Sequence, residues 1–320
     1  MKKSVGEVKI LVVGETTVAP YTKKHFEQIK KVDSSLKIVA SADPKTIARE
    51  LSAAEIIITS PFHYQLIDLK LAKNLKWVHI SSAGVTDIAK FLLSTKIMLT
   101  NSSGVHPIPI SETVLGYMLM FGRRLNVSFK NQIVNKKWSR DPSQNKGFEL
   151  KGKTVGIVGM GRIGSEIAKI AKGIGMEVAS TSHKDGKANL VRLLRSSDFV
   201  VDCLPLTDKT LGYFSAAKFK HMGKDAYFIN IGRGKTVVEK DLILALRNGI
   251  IAGAGLDVFE VEPLPDSSPL WKMENVILTP HVSGWTPYYT DRVIDIFCEN
   301  LKGYLKGKSM PTLVDKKRGY

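Results

Sequence analysis

A glycine-rich turn near the middle of the chain limits the folds that this sequence can adopt. The apolar run Thr154–Val158 predicts a buried strand, and Ser165–Ala171 has helical periodicity. Between them lie three glycines with the spacing G-x-G-x-x-G: Gly159, Gly161 and Gly164. At this spacing the first glycine allows a tight turn, the second lets the backbone approach a pyrophosphate, and the third lets the helix pack on the strand. Since a strand and a helix flank the glycines, we interpret the turn as a dinucleotide-binding site and not as a chance cluster of loop glycines.

Predicted strands and helices alternate on both sides of this turn. Before it, strand-like segments begin at Lys9, Lys37, Glu55, Lys76 and Ile97; after it, at Glu177, Asp198, Ala226, Ile251 and Asn275. This alternation predicts an α/β protein with two doubly wound parallel-sheet domains. We expect one long helix from Ser111 to about Lys137, a last helix from Pro287 to about Leu305, and a loose tail over 306–320.

The chain of 320 residues carries a formal net charge of +17, which raises the question of a nucleic-acid partner. The lysines are scattered in pairs and no nucleic-acid motif accompanies them, so we predict a solvated basic surface and neither a nucleic-acid nor a membrane partner. No apolar run reaches the roughly 18 residues of a membrane span, and no signal-peptide core is visible. Cys203 and Cys298 are predicted to be buried thiols of a reducing compartment, so the expected location is the cytoplasm. No metal site is predicted.

Three ionisable residues follow the last three predicted strands: Arg233, Glu262 and His281. Because successive parallel strands deliver their carboxyl ends to one edge of a sheet, we expect the three side chains to lie together. An arginine can bind a carboxylate bidentately, and a histidine can exchange a proton with an alcohol or carbonyl near neutral pH. A carboxylate beside the histidine stabilises its charged form. Each residue alone has an ordinary structural explanation, but their order downstream of a dinucleotide turn favours a catalytic site.

Six segments of the chain match one family pattern: residues 81–85, 100–105, 152–164, 230–234, 255–264 and 279–283. With them the chain resembles the D-isomer-specific 2-hydroxyacid dehydrogenase family over nearly its whole length. The resemblance implies an NAD(P)-binding Rossmann domain, 103–284, inserted into a flavodoxin-like substrate domain made of 1–102 and 285–320. It also implies an NAD(P)-dependent D-2-hydroxyacid dehydrogenase, usually a homodimer, with dimer contacts that include the arm around Trp138.

The resemblance also implies roles for single residues. His281 is the expected acid/base, Glu262 its partner, and Arg233 the residue that holds the carboxylate and carbonyl oxygens of the substrate. The expected cofactor contacts are Gly159, Gly161, Arg162, Ile163, Gly164, Pro205 and Asp257, the last at the nicotinamide carboxamide. Backbone N–H groups of Ala83 and Gly84 would bind the substrate carboxylate. The pocket candidates are Phe62, His63, His106, Trp285 and Tyr288; Trp285 could form one wall of the pocket or pack the domain joint.

The end of the second strand of the cofactor domain bears on the choice between NADP and NAD. An NAD enzyme usually has an acidic residue there, on the ribose 2′-hydroxyl. Here the position falls on Ser182, followed by His183 and Lys184, a set that could bind a 2′-phosphate and resembles the glyoxylate and hydroxypyruvate reductase branch. Asp185 comes three positions late for the ribose contact. We predict that NADP is preferred and that NAD is also accepted.

The predicted substrate is a small anionic 2-keto or 2-hydroxy acid such as glyoxylate or hydroxypyruvate. A D-lactate or 3-phosphoglycerate type of substrate is one alternative. A non-catalytic NAD(P)-sensing binding protein is another, and an intact Arg233, Glu262 and His281 argue against it.

Overall fold

The computed structural model describes residues 8–16, 18–140, 146–182 and 185–317. These residues form two compact units. One comprises the chain up to His106 together with the chain from Trp285 onward, and the other comprises Pro107–Gly284.

The strands are β1 (Lys9–Val13), β2 (Lys37–Ser41), β3 (Ile56–Thr59), β4 (Trp77–Ile80), β5 (Met98–Asn101), β6 (Thr154–Val158), β7 (Glu177–Thr181), β8 (Phe199–Asp202), β9 (Tyr227–Asn230), β10 (Gly253–Leu256) and β11 (Val276–Leu278). The α-helices are α1 (Lys23–Lys30), α2 (Pro44–Leu51), α3 (Thr86–Phe91), α4 (Pro107–Gly122), α5 (Leu125–Lys130), α6 (Arg162–Gly173), α7 (Lys187–Ser196), α8 (Ala216–Phe219), α9 (Glu239–Arg247) and α10 (Tyr289–Leu305). Short 3-10 turns lie at Tyr64–Leu66, Gly234–Thr236 and Pro269–Lys272, and a π turn at Asn131–Asn135.

The first unit contains a parallel sheet with the strand order β2-β1-β3-β4-β5. This order is that of flavodoxin-like folds, so the prediction for the substrate domain's architecture is confirmed. Its inner strands are buried on both faces, which explains their continuous apolar sequences. Helix α10 covers one face, where Phe297 stacks on Trp77 with ring centroids 5.0 Å apart.

The second unit contains a six-stranded parallel sheet with the order β7-β6-β8-β9-β10-β11. The predicted doubly wound sheet is thus confirmed for this unit as well. Strand β6 lies between β7 and β8, so the chain order reverses at β6. Ligands of open α/β sheets bind at the carboxyl ends of the strands near such a point. This places the glycine turn, which follows β6, where a dinucleotide is expected.

The predicted single helix from Ser111 to Lys137 is wrong. Helix α4 ends at Gly122, Arg124 has a left-handed backbone with φ of 55°, and α5 and the π turn follow separately. The amide of Phe148 donates to the carbonyl oxygen of Gly122 at 2.7 Å. Because a returning segment takes this carbonyl, the intrahelical hydrogen bond that would continue α4 is lost.

The tail is not loose over its described part, so that prediction is also wrong. The amide of Val314 donates to the carbonyl of Leu99 at 2.8 Å, which fixes the tail to β5. The Lys316 ammonium donates to three backbone carbonyls after α3, at 2.9, 2.7 and 3.0 Å: those of Leu92, Thr95 and Ile97. Residues 318–320 lie outside the described residues.

Both cysteines are free thiols; Cys298 is buried as predicted, whereas Cys203 is partly exposed. Among the described residues, no helix is both long and apolar enough to cross a bilayer. The same part of the chain contains no group of three or more His, Cys, Asp or Glu side chains placed to bind a metal ion.

Burial strongly shifts the pKa of one side chain in each unit, His79 in the first and Asp202 in the second, and the two pKa values move in opposite directions. Burial lowers the pKa of His79 to about 3; its ring nitrogens lie 2.7 Å from Thr100 Oγ1 and 3.1 Å from Ser102 Oγ. Burial raises the pKa of Asp202 to about 7, although Thr236 Oγ1 donates to its carboxylate at 2.5 Å. Through these two side chains, acidification therefore contributes to the stability of the two units with opposite signs.

We expect two asparagine variants to reveal these opposing effects. Between about pH 6.5 and 4, the unfolded chain protonates His79 and the folded chain does not, so acidification destabilises the first unit. Over the same range the folded chain keeps Asp202 protonated and the unfolded chain does not, so acidification stabilises the second unit. Each effect is about 1.4 kcal/mol per pH unit. His79→Asn should abolish the loss in the first unit, and Asp202→Asn the gain in the second.

Amide hydrogen exchange of β4 and β8 at pH 6.5 and 4.5 reports the opening free energy of each unit separately. Other carboxylates titrate alike in all three proteins, so the wild-type protein serves as the reference. Variants whose pH slopes equal those of the wild type would contradict both assignments.

Candidate active site

The glycine turn after β6 has the geometry that a pyrophosphate requires. Gly159 has φ of 105°, and a Cβ at Gly164 would lie 2.5 Å from the carbonyl oxygen of Gly159. Gly161 caps the N-terminus of α6 without a side-chain hydrogen bond, and a Cβ there would meet nothing within 4 Å. The helix therefore begins beside open space, with Arg162 and Ile163 in its first turn. A phosphate group fits such a helix start, because the first backbone N–H groups have no intrahelical acceptor.

His281 and Glu262 form a hydrogen-bonded pair at the carboxyl edge of the same sheet. His281 Nδ1 lies 2.7 Å from Glu262 Oε2, and the amide of Phe259 donates to Glu262 Oε1 at 2.9 Å. Both oxygens of the carboxylate are thus engaged, which fixes its orientation. Because a carboxylate accepts at Nδ1, the imidazole donates there and presents Nε2 for proton exchange. Both side chains remain partly exposed to solvent.

Arg233 lies in the loop that follows β9. A Cβ at Gly234 would lie 1.8 Å from the carbonyl oxygen of Phe259, so only glycine allows this loop to pack on the loop after β10. The guanidinium donates to the carbonyl of Gly232 at 2.7 Å. Desolvation lowers the pKa of Arg233 below its usual value, and the charge of Glu262 opposes that shift. His281 and Glu262 are thus in contact, and Arg233 lies near enough to Glu262 for that charge to act on its pKa.

The loop that carries His281 is held by a buried carboxylate. Asp257 is 1% exposed and accepts hydrogen bonds from Thr279 Oγ1 at 2.6 Å, from the amide of Val282 at 3.0 Å, and from the amide and hydroxyl of Ser283. His281 itself has a left-handed backbone with φ of 55°, and its amide donates to the carbonyl of Asp257 at 2.8 Å. A left-handed conformation is unfavourable for a non-glycine residue, so these hydrogen bonds hold His281 in place.

Sequence reasoning missed part of this support. The hydroxyl of Tyr117, from α4, hydrogen-bonds to Thr279 Oγ1 and extends the chain of contacts to Asp257. Thr279 and Ser283 fall in a matched segment, but nothing in their spacing reveals which carboxylate they bind. Tyr117 lies 162 residues before Thr279 and gives no sequence signal of its own.

A carboxylate lies beside Ser182, directly after the end of β7. The amide and the hydroxyl of Ser182 both donate to Asp185 Oδ2, at 2.7 and 3.0 Å. His183 and Lys184 lie outside the described residues. Pro205, the remaining predicted cofactor contact, follows β8, and its carbonyl accepts from Thr210 Oγ1 at 2.6 Å.

The predicted carboxylate-binding loop of the first unit follows β4. Asn101 Nδ2 donates to the carbonyl of Ala83 at 3.0 Å, and Ser82 Oγ donates to the carbonyl of Gly84 at 2.7 Å. Within the described part of the chain, the amides of Ala83 and Gly84 have no hydrogen-bond acceptor. The loop is therefore fixed through its carbonyls and keeps two N–H donors for a ligand.

The pocket candidates of the first unit have different environments. Phe62, Trp285 and Tyr288 expose more than half of their surface. His63 Nδ1 lies 2.7 Å from Ser60 Oγ, and the His106 ring lies 5.5 Å from the Tyr289 ring.

Comparison with known proteins decides the family. The family model described as "D-isomer specific 2-hydroxyacid dehydrogenase, NAD binding domain" matches residues 115–283. The chain belongs to the D-isomer-specific 2-hydroxyacid dehydrogenase family. It is 34% identical over 284 residues to a glyoxylate reductase of Korarchaeum cryptofilum, covering 84% of each chain. As a member of this dehydrogenase family it is an NAD(P)-dependent oxidoreductase, as the sequence predicts.

Solved structures of the family have the same fold. A family member from Aeromonas salmonicida superposes with a TM-score of 0.83 and 30% identity, covering 97% of this chain and 99% of that one. The NADPH-dependent glyoxylate/hydroxypyruvate reductase of Sinorhizobium meliloti, solved with NADP and sulfate, superposes with a TM-score of 0.76 and 26% identity, covering 98% of this chain and all of that one (100%).

Proposed function

We propose that this dehydrogenase transfers a hydride between NAD(P)H and the 2-carbon of a small D-2-hydroxy or 2-keto acid, of the glyoxylate or hydroxypyruvate kind. The observation that carries the proposal is the His281–Glu262 pair beside Arg233, at the carboxyl edge of a sheet with a dinucleotide turn. The similarity to glyoxylate reductases supports the choice of a small substrate.

Each of the three residues has one chemical task in this proposal. When bound, the nicotinamide cofactor would supply or accept the hydride at the substrate's C2. His281 donates the proton at Nε2 to the carbonyl oxygen during reduction and removes it during oxidation, while Glu262 fixes the ring through Nδ1. The Arg233 guanidinium binds the substrate carboxylate and stabilises negative charge on the carbonyl oxygen. The amides of Ala83 and Gly84, in the first unit, are proposed as donors to a substrate carboxylate.

We further propose that NADPH is the preferred cofactor and that NADH is accepted. Ser182 stands where NAD enzymes place an acidic residue, so no carboxylate of that residue repels a 2′-phosphate. His183 and Lys184 would add donors to the phosphate. Three family structures similar to this chain were solved with NADP or NADPH. Gly159, Gly161, Gly164, Arg162, Ile163 and Pro205 would contact the rest of the cofactor, and Asp257 the nicotinamide side.

Cofactor oxidation with a panel of acids tests the proposed function. Glyoxylate, hydroxypyruvate, pyruvate and 3-phosphohydroxypyruvate are each offered with NADPH and with NADH, and absorbance at the nicotinamide band is followed. We expect the highest kcat/KM for glyoxylate or hydroxypyruvate with NADPH. Tight cofactor binding without turnover of any acid would instead identify a cofactor-sensing protein.

We also propose a homodimer that uses the surface around α5 and the π turn. Large apolar side chains recur there at helical spacing and are exposed: Leu125, Phe129, Ile133, Val134 and Trp138, the last at 92%. Exposed apolar patches of this kind are typical of protein interfaces. A solution mass of one chain in light scattering would contradict the dimer.

The cytoplasmic location remains a prediction.

A further inference from the structure

The turn after β7 contains a negatively charged side chain, the carboxylate of Asp185. Ser182 directly follows the strand, and its amide and hydroxyl both donate to one oxygen of Asp185, at 2.7 and 3.0 Å. The amide of Asp185 donates back to the carbonyl of Ser182 at 3.1 Å, which closes the turn. The carboxylate therefore lies against the two donors of Ser182 although it comes three positions later in the sequence.

These two donors are the groups that a 2′-phosphate would need from Ser182. We propose that Asp185 is a determinant of cofactor preference, because its carboxylate occupies the Ser182 donors and competes with the 2′-phosphate of NADPH. This inference rests on the proposed binding of the adenosine ribose at Ser182. It goes beyond that proposal, since it names Asp185, which is not part of the family pattern, as the residue that weakens NADPH binding.

The charges explain why the competition acts on one cofactor and not on the other. A monoester phosphate near neutral pH carries close to two negative charges and repels a carboxylate at the same donors. The 2′-hydroxyl of NADH is neutral and can itself donate to a carboxylate. Asp185 is exposed, so water can solvate its carboxylate when a phosphate displaces it from the Ser182 donors. The expected consequence is a weakened preference for NADPH, not its reversal.

Asp185→Asn tests the proposal by ligand binding alone. Dissociation constants are measured for NADPH and NADH by nicotinamide fluorescence, and for adenosine 2′,5′-bisphosphate and AMP by calorimetry. We expect roughly tenfold tighter binding of the two 2′-phosphorylated ligands, while NADH and AMP change less than about twofold. Adding Ser182→Ala to Asp185→Asn should remove part of the gain, because the hydroxyl donor is then absent while the backbone amide remains.

Asp225→Asn is the matched control. It removes one exposed negative charge from the same unit, but from the segment that precedes β9. This segment lies at the amino-terminal ends of the strands, whereas Ser182 lies at the carboxyl ends. Equal effects of the two substitutions would overturn the proposal and leave only a general charge effect. Weaker NADH binding with unchanged NADPH binding would also overturn it and make Asp185 a ligand of the ribose. A wild-type chain that binds neither cofactor would refute the proposed function itself.

Discussion

His281→Gln is expected to lower kcat for keto-acid reduction by roughly three orders of magnitude and to leave the dissociation constant of the cofactor unchanged. Hydride transfer to C2 places negative charge on the substrate oxygen, and a proton must reach that oxygen. Glu262 fixes the imidazole through a 2.7 Å contact at Nδ1, so Nε2 is the atom that can deliver the proton. Glutamine keeps a polar side chain of similar reach but cannot act as an acid.

Two further variants make this result specific. Glu262→Gln should lower kcat less than His281→Gln does. The glutamine amide oxygen can still accept from the backbone amide of Phe259, so the side chain keeps its position. The charge that stabilises the protonated imidazole is lost, so kcat still falls. His221→Gln, in the segment after α8 of the same unit, is the matched control and should retain wild-type kcat. The acid/base role of His281 is refuted if His281→Gln keeps more than about a tenth of the wild-type kcat.

The sequence allowed much of the fold to be predicted because the signals are local. Each buried parallel strand is a short apolar run, and the glycine turn marks the carboxyl end of β6. The expected grouping of the three ionisable residues also follows from local information, since each lies in the loop after one of three successive strands. Parallel pairing of β9, β10 and β11 then brings their ends to one edge.

The features that the sequence could not reveal depend on contacts between distant residues. Helix α4 ends where Phe148 takes the carbonyl of Gly122, and the tail is ordered by Lys316 and the edge of β5. The turn at Ser182 is a different case, because the distance along the chain is only three residues. The sequence shows that Asp185 is close to Ser182 along the chain. Only the structure shows that the carboxylate accepts from both the amide and the hydroxyl of Ser182.

Asp257 illustrates how one residue can satisfy a family pattern for two physical reasons. The resemblance implies a contact with the nicotinamide carboxamide. In the structure, both carboxylate oxygens accept hydrogen bonds from the segment that holds His281. A buried carboxylate with several donors is costly to disturb, because removing it leaves those donors unpaired. Asp257 therefore positions the loop that carries His281.

Arg233→Met is expected to lower kcat/KM for the keto acid by about three orders of magnitude or more, because the proposed function assigns this residue to both the carboxylate and the carbonyl oxygen of the substrate. Loss of the carboxylate contact raises KM, and loss of the charge beside the developing oxyanion lowers kcat. Arg233→Lys keeps the positive charge but lacks the planar pair of donors. We therefore expect its kcat to be closer to the wild-type value than its KM is. The split between the two constants distinguishes binding from transition-state stabilisation.

The control for Arg233 is Arg195→Met, which removes an exposed guanidinium from α7 of the same unit. It should leave both constants near their wild-type values, since the loss of one positive charge from a chain of net charge +17 changes the long-range field little. Cofactor binding should be unaffected in all three variants. If Arg233→Met and Arg195→Met lower kcat/KM to the same extent, Arg233 acts only through the general positive field. The loop after β9 would then have no part in holding the substrate.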